Sequence, residues 1–536
     1  MKEITSKLEA LLADWNRSDA PGCVASVVQR GSSLLRKGYG MANLEMLTAN
    51  SPATRMRIGS TTKHFTCILA LMLRDEGSLD IDAPCIRYLP ELPPSQGSRT
   101  LRQFMNHTGG TRDFLDLSMF SNGLSILPAE AALFYHSLQQ EDNFAAGEMF
   151  AYNNGGYRLL SIAIERVTGM SLAQAFELRL FAPLEMRDTA LWASDNEILP
   201  GVATSHVAQP DGKFIRGVFP STILGEGGIV STIDDMQRWL AHLRQPVLWS
   251  QQLSAELTKP TRLNNGYLNA YGLGLIREQY RGIEIIQHSG GVIGGTCQML
   301  TAPELDINII VVSNRNDLSA PHLAYQLLEA VAGDNIRAPA GTASALLAQD
   351  LQGDFLCADN DQLLTVTMLA GQLCLKYYGM PLPLEPADND ILIVNLLGVV
   401  DLSVEPVRNA VGKITAIVVN EQGRRMLFAR VEIEAGKTAD LLCRLAGIYR
   451  SKEMSAEFII GEAGKNDLLS VQGRYGRNTF RLSPLGGDVF QLDQTDPTLP
   501  LTGTLRLAVR PGRRELIVNT GRTMRLRLHE VTSHAE

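Results

Sequence analysis

The feature that most limits what this chain can fold into is a change of texture near Asp334. Ahead of it, helical and strand-like stretches are mixed. CVASVVQRGSSLLRKGYGMANLE, residues 23–45, has β-branched runs broken at Arg30-Gly31, which predicts a hairpin. Helical spacing runs from Thr61 to about Glu76, and again over 156–168, 171–181 and 233–244. EIIQHSGG and DINIIVVSN read as strands. Helices set beside an antiparallel sheet, without strict strand–helix alternation, predict an α/β (α+β) layered domain. Beyond Asp334, short β-rich runs dominate: LLTVTML, QLCLKYYG, DILIVNLL and GKITAIVVN, punctuated by Gly, Asp and Asn. Such spacing belongs to a sandwich or barrel.

The β-rich part reads as two copies of one all-β module. LQGDFLCADNDQLLTV from Leu351 and LAGIYRSKEMSAEFII from Leu445 open the copies, and GRRMLFARV from Gly423 and GRTMRLRLHEV from Gly521 close them. RAPAGTASA, residues 337–345, is the natural linker, small and aperiodic. The expected units are therefore 1–335, 346–432 and 440–536.

Composition narrows the function classes. A net charge of -8 and a pI near 5.7 argue against nucleic acid or an anionic membrane surface as partner. The stretch MKEITSKLEALLADWNRS carries Lys2, Glu3, Lys7, Glu9 and Asp14 and reads as an amphipathic helix, not a secretory signal. No run is long and apolar enough to span a bilayer. Seven scattered cysteines form no CxxC pair, so neither a disulfide framework nor a zinc site is expected, and a cytoplasmic location fits.

Three short patterns carry possible chemistry. Ser60-Thr61-Thr62-Lys63 is an S-x-x-K sequence at the start of a helical pattern. One helical turn would bring the lysine amine beside the serine hydroxyl, which needs an adjacent base to become a nucleophile. The same residues also read as a simple helix cap. Tyr152-Asn153-Asn154 precedes another helix: a tyrosine can move a proton, an asparagine can hold a carbonyl, and Asn-Asn-Gly can also be just a turn. His288-Ser289-Gly290-Gly291 ends a strand-like run. Its glycines allow close backbone approach, and the Gly291 N–H could join that of Ser60 as an oxyanion hole.

In order and spacing, these patterns resemble the serine β-lactamase and DD-peptidase superfamily, which uses S-x-x-K, Y-x-N and K-[ST]-G or H-x-G. LRQFMNHTGG, GEGGIVSTIDDMQRW and YGLGL resemble companion phrases of that superfamily, and the likeness covers about residues 5–330. It implies that Ser60 is acylated, that Lys63 is the base, that Tyr152 assists proton transfer and that Asn154 contacts the substrate amide. It assigns His288 to the catalytic set, and Gly290 and Gly291 to substrate binding.

Two departures steer the reading. His288 stands where a lysine usually supplies a permanent positive charge for a carboxylate, and Glu226 stands where the superfamily usually has a small residue. With the two β modules, these features resemble the D-stereospecific aminopeptidases of the superfamily. Those have a β-lactamase-like catalytic domain followed by two antiparallel β-barrels, with a loop of the last barrel reaching the active site. The corresponding loop is expected around 484–494, PLGGDVFQLDQ, with Asp488 placed to meet a substrate amine and Glu226 as a second acidic candidate. The resemblance implies release of an N-terminal D-amino acid from small peptides or amides, without metal or cofactor. A homodimer belongs to the same expectation. The rivals are an esterase or DD-peptidase on the same serine, and a non-catalytic protein that binds peptides or peptidoglycan fragments.

Overall fold

A computed structural model of the chain describes residues 2–338, 345–369, 371–377, 380–387, 390–396, 400–431, 438–461, 467–496, 498–499, 501–510 and 513–531. The first part is built on a six-stranded antiparallel sheet. In spatial order its strands are Ile276–Tyr280, Ile283–Val292, Gly295–Ala302, Ile307–Ser313, Cys23–Gln29 and Ser32–Tyr39. The expected hairpin is the last pair, turned by Arg30 and Gly31, which both take positive φ (48° and 73°) as a two-residue hairpin loop demands.

Side chains alternate across this sheet. Val24, Met299, Ile310 and Val312 enter the core around the helix Lys63–Asp75. Ala25, Val27, Leu300, Ile309 and Val311 pack on the other face, against Leu8 and Leu12 of the helix Lys2–Leu12 and Leu323 and Leu327 of the helix Ala320–Ala332. The Lys63–Asp75 helix is buried along nearly its whole length, as an apolar helix at the centre of a domain must be. Phe65 stacks on Trp239 with ring centroids 3.7 Å apart, fixing its rotation.

Both β modules are present, each led by a short helix, Ala345–Leu351 and Thr438–Cys443. The first is a nine-stranded antiparallel sheet. Its two end strands, Met380–Pro383 and Glu385–Pro386, are separated in sequence only by Leu384, so the sheet curls back on itself into a nearly closed barrel. The second is a closed eight-stranded barrel, sealed where Tyr449 pairs with Glu530. One expected strand is different: the chain from Gly521 to Arg525 is a loop, and the last strand begins only at Leu526. Most of the expected linker, residues 339–344, lies outside the described residues.

The barrels are welded to the first domain. Phe114, Leu117 and Phe120 from the helix Phe114–Asn122 complete the core of the last barrel, where Phe120 stacks on Phe480 at 4.6 Å. In the first barrel, Gln422 takes both backbone polar groups of one residue: the Phe150 N–H donates to its Oε1 (2.8 Å) and its Nε2 donates to the Phe150 carbonyl (2.9 Å). Among the described residues, no helix is long and apolar enough to cross a membrane, and no cluster of His, Cys, Asp or Glu is arranged to hold a metal ion.

Candidate active site

Ser60 sits in a tight helical turn, Gly59–Thr62, that leads directly into the Lys63–Asp75 helix. The helix proper starts at the lysine, three residues later than the hydroxyl, and this offset places both groups on one face. Lys63 Nζ lies 3.1 Å from Ser60 Oγ, 2.9 Å from Asn154 Oδ1 and 2.6 Å from the Glu226 carbonyl oxygen. Asn154 Oδ1 and the Glu226 carbonyl can only accept hydrogen bonds. A neutral Lys63 amine therefore gives its two N–H groups to them, and its lone pair is left facing Ser60. Burial lowers the Lys63 pKa to about 7; Glu226 and Asp113 oppose that shift, and Arg522 adds to it. A neutral amine is thus accessible near neutral pH.

Asn154 opens the helix Asn154–Thr168, capped by the Asn153 side chain on the Gly156 N–H at 3.0 Å. Its orientation is set from behind, because Asn154 Nδ2 donates to Asp113 Oδ2 at 3.3 Å. Asp113 caps the Phe114–Asn122 helix through the Leu115 N–H and also accepts from the N–H groups of Asn154 and Gly155. One buried carboxylate therefore sits at the N-termini of two helices, where their dipoles stabilise it. The Tyr152 ring lies 4.7 Å from Lys63 Nζ. The Tyr152 hydroxyl is buried without a well-formed hydrogen bond; burial raises its pKa and the neighbouring Ser60 hydroxyl pulls it back.

His288 is placed at the site but is not free to move protons, which corrects its assignment to the catalytic set. Asn153 N–H donates to His107 Nδ1 at 3.0 Å, so the His107 proton is on Nε2, 3.1 Å from the Tyr271 hydroxyl. The Tyr271 hydroxyl then donates to His288 Nε2 at 3.0 Å, which leaves the His288 proton on Nδ1 facing the Ser289 carbonyl at 2.5 Å. Both nitrogens are committed, and burial, with Lys63 nearby, lowers the His288 pKa to about 3. His288 is a neutral strut. The backbone beyond it is pressed against the nucleophile. A Cβ on Gly290 would meet the Ile58 carbonyl at 1.9 Å and the Ser60 nitrogen at 3.1 Å, and one on Gly59 would meet the Gly291 nitrogen at 2.7 Å. Only glycine allows the Ser60 and Gly291 backbones to come so close.

The two acidic candidates fare differently from expectation. Glu226 lines the cavity, but its carboxylate is paired with Arg158 at 2.5 Å in a buried contact, so its charge is already matched. Its backbone carbonyl, not its carboxylate, serves Lys63. Asp488 is outside the cavity altogether: it is half-exposed and pairs with Arg444 at 2.8 Å. The 484–494 hairpin is held in the barrel wall by pairing along Arg477–Gly486 and Val489–Gln494; only Gln491, Asp493 and Gln494 of it reach the cavity rim.

The loop that does enter is residues 519–525. Asp116 Oδ2 accepts from Thr520 Oγ1 (2.5 Å) and Thr523 Oγ1 (2.6 Å), while Asn143 Nδ2 donates to the Arg522 carbonyl (2.9 Å) and Asn143 Oδ1 accepts from the Met524 N–H (2.8 Å). These clamps carry the Arg522 guanidinium to within 3.3 Å of Asp113 and 5.5 Å of the Tyr152 ring centre. The site therefore holds a permanent cation, where the acidic Asp488 is the loop residue expected from the sequence. Arg522, Asp113, Tyr271 and His107 escape sequence reasoning as individual residues. His107 and Tyr271 lie within LRQFMNHTGG and YGLGL, but the loop was hidden by reading GRTMRL as a strand. The whole site opens into a cavity of about 1630 Å³ shared by the first domain and both barrels.

Residues 6–332 match the Beta-lactamase family, well over half of the chain. The chain belongs to the Beta-lactamase family. Relatives of this family member extend past its catalytic domain. A "D-aminopeptidase" of Brucella canis is 26% identical over 481 residues, covering 88% of this chain and 87% of the relative. A "D-aminopeptidase" of Gluconobacter oxydans is 25% identical over 470 residues, covering 86% and 85%. Among solved structures, an octameric penicillin-binding protein homologue from Pyrococcus abyssi superposes with a TM-score of 0.56 at 18% identity, over 99% of both chains. The D-amino acid amidase from Ochrobactrum anthropi SV3, complexed with D-phenylalanine, gives 0.53 at 23% identity, over 62% of this chain and 99% of that one. These structural likenesses establish the shared fold, with both barrels included in the first.

Proposed function

We propose that the chain hydrolyses the bond after an N-terminal D-amino acid in peptides and amides, through an ester on Ser60. The observation that carries the chemistry is the buried Lys63 amine, 3.1 Å from Ser60 Oγ and with its pKa lowered to about 7. Support for the substrate class comes from the "D-aminopeptidase" relatives, whose similarity covers 88% and 86% of this chain and so extends well beyond the 6–332 family match. Neutral Lys63 takes the Ser60 proton as Oγ bonds to the carbonyl carbon, and the oxyanion rests between the Ser60 and Gly291 N–H groups. The C–N bond breaks as the leaving amine receives a proton from Lys63 by way of Tyr152. Water then adds to the ester and gives its proton to Lys63. The D-amino acid leaves, and Ser60 recovers its proton. Asn154, Gly290 and Gly291 border the bound amide in this reading.

Cytoplasmic location, a homodimer and the division 1–335, 346–432 and 440–536 remain part of the proposal. Seven cysteines, six of them buried, fit a reducing compartment. The direct test compares D-alanyl and L-alanyl p-nitroanilide with p-nitrophenyl butyrate. Preference for the D-anilide, abolished in Ser60→Ala, is expected. Equal use of both anilides with fast butyrate hydrolysis would favour the esterase instead.

A further inference from the structure

The cation brought in by the last barrel has more capacity than its visible contact uses. Arg522 reaches Asp113 through Nη1 alone, at 3.3 Å, a loose single-point contact. Asp113 does not depend on it, since that carboxylate already accepts from three backbone N–H groups at two helix N-termini. The remaining guanidinium N–H groups have no partner among the described residues, and the side chain lines the cavity with 39% of its surface exposed. A planar guanidinium with a free edge matches a carboxylate in two-point geometry. Its position also has a side. Arg522 stands 5.5 Å from the ring of Tyr152, the residue proposed above to pass a proton to the departing amine, and in that reading it borders the leaving-group side. The leaving group of a peptide ends in a carboxylate, while that of a simple amide does not.

We propose that Arg522 is a specificity-determining residue that binds the free carboxylate of the leaving amino acid, so that the preferred substrates are short D-aminoacyl peptides with an unblocked C-terminus. Two features make this assignment specific. His288, which occupies the motif position of a charge-bearing lysine, is neutral and fully hydrogen-bonded, so it offers a carboxylate nothing. In its place, the backbone that carries Arg522 is fixed by Asn143 at the Arg522 carbonyl and the Met524 N–H, and by Asp116 at Thr520 and Thr523. A loop fixed in this way delivers the Arg522 side chain to one place at the cavity wall, as recognition of a ligand at a fixed position requires.

This inference rests on the proposed aminopeptidase activity, and the test separates the two. The full-length enzyme is assayed on D-alanyl-glycine and D-alanyl-glycinamide, which differ only in the carboxylate. In the wild type, kcat/KM is expected to be higher for the free acid. In Arg522→Gln the acid-to-amide ratio falls tenfold or more, chiefly through KM, and Arg522→Lys recovers part of it. A ratio unchanged in Arg522→Gln, with both substrates slowed equally, would overturn the inference while leaving the aminopeptidase reading intact. Failure of the wild type to cleave either substrate would overturn both.

Discussion

At the scale of single residues, the account turns on Lys63. The superfamily-like motif announces a lysine, but its usefulness comes from its surroundings: full burial, two acceptor-only neighbours and one hydroxyl. The sign of the pH dependence follows. Below pH of about 7 the amine keeps its proton and cannot take the one on Ser60; above it, the neutral base is present. kcat/KM should therefore rise with pH through a midpoint near 7, and initial rates across pH 5–9 in a constant-ionic-strength buffer would show it. Lys63→Met should lower kcat by about 10²–10⁴-fold and remove that limb, the range usual for losing a general base. A limb that persists in Lys63→Met would assign the titration to another group.

At the scale of elements, the helix Phe114–Asn122 joins chemistry to architecture. Its cap, Asp113, orients Asn154; its Asp116 clamps the incoming loop; its apolar face is part of the last barrel's core. Phe120→Ala should destabilise the protein by about 3–5 kcal/mol, the usual cost of emptying a buried aromatic site, seen as a lowered midpoint in chemical denaturation. A midpoint within error of wild type would mean that the barrel does not depend on this plug. Elements such as this one also mark how far the sequence is legible. The meeting of Ser60, Lys63, Tyr152 and the glycines after His288 is readable because backbone geometry ties each position to a short local pattern. The repeat of the β modules is readable for the same reason. Its consequence is not: in each module the turn before the last strand is the part that touches the first domain, through Gln422 in one and residues 519–525 in the other. Nothing local distinguishes such a turn from a surface hairpin, so the sequence points to Asp488 where the fold places Arg522. Glu226 reads as an unpaired acid in the sequence for a similar reason: its partner Arg158 is distant in sequence and close only in the fold.

At the scale of the whole molecule, the barrels are walls of the active site. The cavity takes residues from the first domain, from the first barrel at Lys376, Glu421 and Gln422, and from the second at 519–522. Its volume, about 1630 Å³, exceeds the roughly 300–1,000 Å³ usual for small-ligand sites, which suits a short peptide more than a lone amino-acid amide. Such an enclosure selects substrates by what all three parts permit together, while the proposed bond-making lies with Ser60 and Lys63. The most direct test of this central claim is intact-protein and peptide mass spectrometry of enzyme quenched during turnover of D-alanyl and L-alanyl p-nitroanilide. A D-alanyl ester on the peptide carrying Ser60, much weaker from the L-substrate and missing in Ser60→Ala, is the expected result. An acyl group on any other residue, or turnover that survives in Ser60→Ala, would contradict it.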